Sequence, residues 1–167
     1  VFTDELNTAG YVYALACMAL EPRKVMPRIT HEIIQDWYPQ LSEDDLIHIA
    51  TLKQVYVESH LEMSQLNASV ARVFSTYGSE RCALWTAANP ERIRMLLRYH
   101  MVTDYRAIRF SNKTANDVAH TVQDFCVLFG CEPEDLCFHE DNPEVINHLR
   151  KLGLTVMAVE LVETCGK

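Results

Sequence analysis

Apolar positions recur along this chain with a period near 3.6, and the breaks between periodic stretches fall at helix start and stop signals. Thr3 is placed to cap a first helix that runs to about Leu20 and is stopped by Glu21-Pro22. From Tyr11 to Leu20 that helix is apolar on every side, so a core or a second chain must cover it. A short helix after Thr30 carries Ile33, Ile34 and Trp37 and ends at Tyr38-Pro39. Ser42 and Asp45 form a capping box before Leu46, Ile49, Leu52 and Tyr56. The next stripe, Leu66, Val70, Val73, Phe74 and Tyr77, is rotated by about 70° from that one, which predicts two helices with a break around residues 64–67. Gly78 closes the second.

The pattern continues with a brief helix from Ser79 through Trp85. Asn89-Pro90-Glu91 then combines an N-cap, a proline at the first helical position and an acid in the first turn, ahead of Ile93, Leu96, Leu97, His100 and Met101. Residues 105–110 fit either an irregular helical turn or a short strand. Thr114 with Asp117 opens a helix that turns Val118, Val122, Phe125, Cys126 and Phe129 inward, with Gly130 after its end. Asn142-Pro143-Glu144 repeats the earlier start signal and Gly153 ends that helix. Residues 154–163 fit a strand, paired with residues 105–110, or a final helix with Leu154, Met157, Ala158 and Leu161 on one face.

Composition narrows the class. Five glycines and six prolines in 167 residues, with 49% hydrophobic and 23% charged, exclude collagen-like and disordered chains and disfavour a turn-rich all-β protein. The expectation is a mainly α protein, one compact helical domain over residues 1–167 with seven or eight helices and at most one short β-ribbon near the C-terminus. No repeat or linker divides it. Gly78, Gly130, Gly153 and Gly166 sit at or outside helix ends, so no glycine-rich phosphate loop or nucleophile elbow is present.

The apolar run Tyr11 to Leu20 is too short to span a bilayer, and Asp4 and Glu5 put the wrong charge before it for a signal peptide. Six cysteines without a secretory segment suggest reduced thiols, although the chain begins without Met and an upstream segment could have been removed. The default setting is cytoplasmic, with no membrane partner.

Charge then changes the picture. The net −8 conceals a stretch from Arg81 to Lys113 with seven basic and two acidic residues, a local +5 that leaves −13 for the rest. Arg81, Arg92, Arg94, Arg98, Arg106, Arg109 and Lys113 offer mostly guanidinium groups, which suit bidentate phosphate contacts. Tyr99 and Tyr105, with Trp85 and Phe110, offer surfaces for stacking unpaired bases. The competing reading is a solvated face with core aromatics, and the pI of 5.3 argues for it.

Two clusters carry candidate chemistry. Cys126, Cys131, Cys137, His139 and His148 are all zinc-ligand types but lack the tight paired spacing of zinc sites. Asp117, His120 and Asp124 share one helical face, although capping already accounts for Asp117. No catalytic residue, metal or cofactor is assigned. The sequence thus points to a non-enzymatic, self-associating protein of nucleocapsid or viral coat type. The Arg segment would contact single-stranded RNA backbone, and Tyr11, Val12, Leu15 and Leu20 would mediate homo-oligomer contacts. The alternatives are a helical adaptor that binds only another protein, and a small enzyme or metal site at His120 or between Cys131 and His148.

Overall fold

A computed structural model describes Phe2 and residues 4–159, and these form two compact units divided after Gln65. The first unit is helical. Helix α1 (Glu5–Cys17) packs along α3 (Glu43–Ser59), with α2 (His31–Trp37) closing the core. Thr3, expected as the first cap, lies outside the described residues; the helix begins after Asp4 and ends three residues before Leu20. Ser42 and Asp45 form the expected reciprocal capping box on α3. Gly10 lets the two helices approach closely: a Cβ there would lie 3.0 Å from Lys53 Cγ and 3.1 Å from the Lys53 carbonyl oxygen.

The apolar belt of α1 is largely covered within its own unit. Tyr11, Ala14 and Leu15 join Ile29, Ile34, Leu46 and Ile49 in the core, and Leu20 packs against it. Of the four residues expected to drive self-association, Val12 alone lies on the exposed side, beside Tyr13. The expectation of an all-round apolar helix seeking a second chain is therefore corrected, because α3 and the segment through Ile29 and Ile34 supply the cover.

The second unit alternates helices with four short strands. After α4 (Ala68–Tyr77) come β1 (Ala83–Thr86), α5 (Pro90–Tyr99), β2 (Ala107–Phe110), α6 (Ala115–Phe129), β3 (Cys137–Glu140), α7 (Pro143–Lys151) and β4 (Thr155–Ala158). β1 pairs in parallel with β2, Ala83 opposite Ala107, and β3 pairs in parallel with β4, Cys137 opposite Thr155. Parallel neighbours need a crossover, and α5 and α7 provide one for each pair. The core gathers Val118, Val122 and Phe125 of α6, Phe138 of β3, Val145 and Leu149 of α7, and Leu154.

A mainly α bundle is thereby ruled out, since the second unit is an α/β arrangement with parallel strands. Residues 79–85 form a 3-10 turn followed by β1 rather than a brief helix. Residues 105–110 and 154–163 both contain strands, but these pair with β1 and β3 and not with each other; residues 160–163 lie outside the described residues. The strands are only four residues long, too short for a two-residue alternation such as that of β3 to set them apart from helix in the sequence. Helices α3, α5, α6 and α7 start where capping signals were read, with Ser42, Asn89, Thr114 and Asn142 each accepting a backbone N–H at the N-cap, and α4 starts at Asn67, a cap that the sequence reading placed only within a break.

Candidate active site at the C-terminal edge of the parallel strands

Parallel strands deliver their C-terminal ends to one edge, and in open α/β sheets that edge is where ligands bind. β1 and β3 each end in a polar residue followed by a helix start, and β2 is followed directly by Ser111 and the start of α6. β1 ends at Thr86, whose hydroxyl accepts the Ala88 N–H at 3.1 Å, ahead of the Asn89 cap. β2 runs into Ser111, whose N–H donates to the Thr86 carbonyl at 3.1 Å. β3 ends at Glu140, followed by Asp141 and the Asn142 cap of α7.

Lys113 ties these ends together. It sits between β2 and the Thr114 cap of α6 in the left-handed region, φ +58°, a conformation that costs a non-glycine residue energy and is concentrated at functional sites. Its ammonium reaches Glu140 Oε2 at 2.5 Å and lies 4.9 Å from the centre of the Trp85 ring. Trp85 Nε1 donates to Ser111 Oγ at 2.9 Å. Glu140 is 5% exposed, and its other oxygen accepts the N–H groups of Asp141 and Asn142, both at 3.0 Å. That carboxylate is thus surrounded by donors, which explains how a charge is tolerated there: a buried ion needs a partner and its remaining lone pairs satisfied.

The edge therefore presents a lysine ammonium, the hydroxyls of Thr86 and Ser111, the Asp141 carboxylate and the N-termini of α5 and α7. Cation, hydroxyls and helix N-termini together suit an anionic oxygen ligand such as a phosphate. The donors do not fit a metal site built from protein alone. Among the described residues no group of three or more His, Cys, Asp or Glu side chains could hold an ion, and Glu140 already receives three hydrogen bonds.

Of the residues singled out in the sequence, Lys113 and Trp85 lie at this site and the others fall elsewhere. Lys113 is at the centre of the site, though as the partner of Glu140 rather than as one of a row of phosphate contacts. Arg109 donates to Thr121 Oγ1 at 2.7 Å and pairs with Asp124. Arg94 stacks over Phe110 at 5.2 Å and Arg106 over Phe129 at 5.9 Å. Arg81 and Arg98 are exposed, Arg92 is half-buried on α5, Tyr99 is exposed beside His100, and Tyr105 is half-buried before β2. Arg94, Arg106, Arg109 and Lys113 are thus engaged within the fold.

Asp117 caps α6, Asp124 serves Arg109, and His120 is exposed. In the cysteine cluster, Cys137 Sγ lies 3.9 Å from His139 Nε2. Burial lowers the His139 pKa and raises that of Cys137. Desolvation, then the neighbouring Cys131, pushes the Cys126 thiol up. His148 Nδ1 is buried without a hydrogen-bond partner among the described residues. The sequence reading missed Thr86, Ser111, Glu140 and Asp141, and it took Trp85 for a base-stacking surface. Their signal is a triplet repeat: a short apolar run, a polar residue, then a helix cap, at 83–89, 107–114 and 137–142.

No protein-family model and no curated protein sequence matches this chain. Solved structures do. A haloacid dehalogenase-like hydrolase candidate from Bacteroides fragilis superposes with a TM-score of 0.71 at 10% identity, over 98% of this chain and 84% of its own. A candidate phosphatase from Clostridium difficile gives 0.68 at 14% identity, over 96% and 80%. A haloacid dehalogenase-like family hydrolase from Streptococcus pneumoniae gives 0.66 at 12% identity, over 95% and 79%. These likenesses overturn the nucleocapsid-like, RNA-binding, self-assembling reading and with it the expectation of a non-enzyme. Among the described residues no helix is long and apolar enough to cross a membrane. The chain has the α/β fold of haloacid dehalogenase-like hydrolases, with parallel strands that carry its polar cluster at their C-terminal ends.

Proposed function

We propose that this chain is a hydrolase that binds the phosphate group of a small phosphorylated molecule at the edge formed by Thr86, Ser111, Lys113 and Asp141. The observation that carries this reading is Lys113, a cation held at the meeting point of three strand ends by an ion pair with the buried Glu140. The similar structures are described as hydrolases and a candidate phosphatase, which supports the reaction class.

Charge stabilisation is the principal demand of phosphoryl transfer, because the transferred group gathers negative charge on its outer oxygens. The Lys113 ammonium meets that charge, and Thr86 and Ser111 donate hydroxyl protons to phosphate oxygens. Glu140 positions the ammonium and is not itself the reacting group, since its oxygens are occupied. Asp141, a carboxylate on the first turn beyond β3, is placed to accept a proton or orient water. Trp85 covers one side of Lys113 and limits water there, which strengthens the electrostatics.

The test is release of inorganic phosphate from p-nitrophenyl phosphate and a panel of sugar and nucleoside monophosphates. Thr86→Val should lower kcat by about 10- to 1000-fold, the range for removing one donor to a developing oxyanion. Arg98→Ala, on the exposed face of α5, should leave it unchanged. Absence of phosphate release from every substrate would overturn the reading.

A further inference from the structure

A pair of thiols stands at the far end of α6 from the strand edge. The helix starts beside Lys113 and ends fifteen residues later, about 22 Å along its axis, where Gly130 turns the chain in the left-handed region. Across that turn the Cys126 carbonyl oxygen accepts two N–H groups, from Gly130 at 2.8 Å and from Cys131 at 3.1 Å. A closure of this kind sets a side chain of the last helical turn against the one that follows the glycine. Such contacts are usually apolar, but here both residues are cysteines. Their thiols are hydrogen-bonded to each other, and both pack half-buried against the core that includes Phe125 and Leu136. The chain then passes the Glu132 and Asp135 capping pair into β3. One α6–β3 connection thus carries the thiol pair at one end and the Lys113–Glu140 ion pair at the other.

The other cysteines are placed differently. Cys82 is buried and its thiol faces the Val73 carbonyl oxygen at 4.0 Å. Cys137 is exposed beside His139, Cys17 belongs to the helical unit, and Cys165 lies outside the described residues. Zinc needs three or four ligands, and among the described residues no third His, Cys, Asp or Glu joins Cys126 and Cys131. A disulfide needs only two cysteines, with Cα atoms about 4.4 to 6.8 Å apart and Cβ atoms facing one another. The hydrogen bond from Cys131 to Cys126 holds the two backbones together, and the thiol contact shows that the side chains face each other.

We propose that Cys126 and Cys131 form a reversible dithiol–disulfide pair that staples the turn between α6 and β3 by exchange with a low-molecular-weight disulfide. One cysteine thiolate attacks the small disulfide, breaks its S–S bond and releases the first small thiol. The second cysteine then attacks that mixed disulfide, forms the Cys126–Cys131 bond and releases the second small thiol. The protein gives up two protons and two electrons, and the small disulfide takes both to become two thiols. The surroundings favour the closed form. Desolvation, then Cys131 and the carboxylates of Glu132 and Glu134, disfavour the Cys126 thiolate, and oxidation removes that ionisable group. Strongly oxidising pairs have the opposite setting, in which a stabilised thiolate holds the reduced form.

This inference goes beyond the hydrolase reading and is read out separately, by mass and stability rather than phosphate release. The 167-residue protein is equilibrated in buffers of oxidised and reduced glutathione, then quenched with acid. Intact mass should fall by about 2 Da, the loss of two hydrogens. Digestion with trypsin and a glutamate-specific protease leaves Cys126 and Cys131 in one peptide, residues 114–134, apart from Cys137, and the loss should map there. Closing so short a loop should raise the thermal midpoint by about 4 to 9 °C over the reduced protein. Cys126→Ser and Cys131→Ser should each abolish both the mass loss in that peptide and the midpoint shift. At one glutathione ratio, the folded protein should show a closed-to-open ratio about tenfold or more above that of the urea-unfolded chain. Cross-links through Cys17, Cys137 or Cys165 in place of this pair, a glutathione adduct that persists at Cys126 or Cys131, no oxidation, or equal closure in urea would overturn the proposal.

Discussion

Replacing Lys113 with Met tests whether the strand ends are held together as described. The substitution keeps a long unbranched side chain but leaves Glu140, 5% exposed, as a buried carboxylate with two backbone N–H donors and no Lys113 counter-charge. Removing one partner of a buried pair costs about 3 to 5 kcal/mol. At about 2 to 4 °C per kcal/mol for a chain of this size, the midpoint should fall by roughly 6 to 20 °C. Glu140→Gln alone should cost less, about 1 to 3 kcal/mol, because the amide oxygen still accepts the Asp141 and Asn142 N–H groups and the lysine retains partial access to water. The double variant should be more stable than Lys113→Met alone, since neither charge is then stranded. Urea denaturation of all four proteins gives the coupling, expected at about 1 to 3 kcal/mol. A Lys113→Met variant within ~1 kcal/mol of the parent, or additive single effects, would refute the argument.

Three further outcomes follow from local geometry. Thr114→Ala removes the hydroxyl that accepts the Asp117 N–H at the start of α6 and should cost about 1 kcal/mol, read as a small drop in thermal midpoint. Gly10→Val drives a side chain into Lys53 and Val57 across the α1–α3 contact and should cost about 1 to 3 kcal/mol, while Gly78→Val, where no atom lies within 4 Å of the added Cβ, tests positive-φ strain instead. Cys82 is buried, and desolvation with a smaller contribution from Asp104 raises its thiol pKa. The folded state holds that proton longer than the unfolded chain, so the stability it contributes is present below about pH 8.5 and is lost as pH rises through the folded pKa. Cys82→Ala should therefore flatten the decline of stability above about pH 8.5, measured by denaturation at each pH; an unchanged slope would contradict this.

Much of the helical framework was legible in the sequence because caps are local. Ser42 with Asp45, Asn89 with Pro90, and Thr114 with Asp117 each fix a helix start within four residues, and the structure places helices there. The sheet was not legible, because its information is non-local. A four-residue run such as Ala83 to Thr86 gives no period, and only the distant partners Ala107 to Phe110 reveal a strand. The candidate site was hidden for the same reason. Lys113 and Glu140 are 27 residues apart, and seen separately one looked like part of a basic run and the other like one of the acids in the rest of the chain. The charge asymmetry was real in the sequence, but pairs such as Lys113–Glu140 and Arg109–Asp124 join cations from that stretch to carboxylates outside it.

The central claim is that Lys113 and its neighbours form a phosphate-binding site. Titration calorimetry with inorganic phosphate measures it most directly, comparing the parent protein, Arg98→Ala, and the double variant Lys113→Met with Glu140→Gln, which removes the ammonium without stranding a carboxylate. The account predicts saturable binding in the first two and a loss of at least about tenfold in the third, from the removal of one charge-assisted contact. Phosphate binding that is absent from the parent, or that survives unchanged in the double variant, would contradict it.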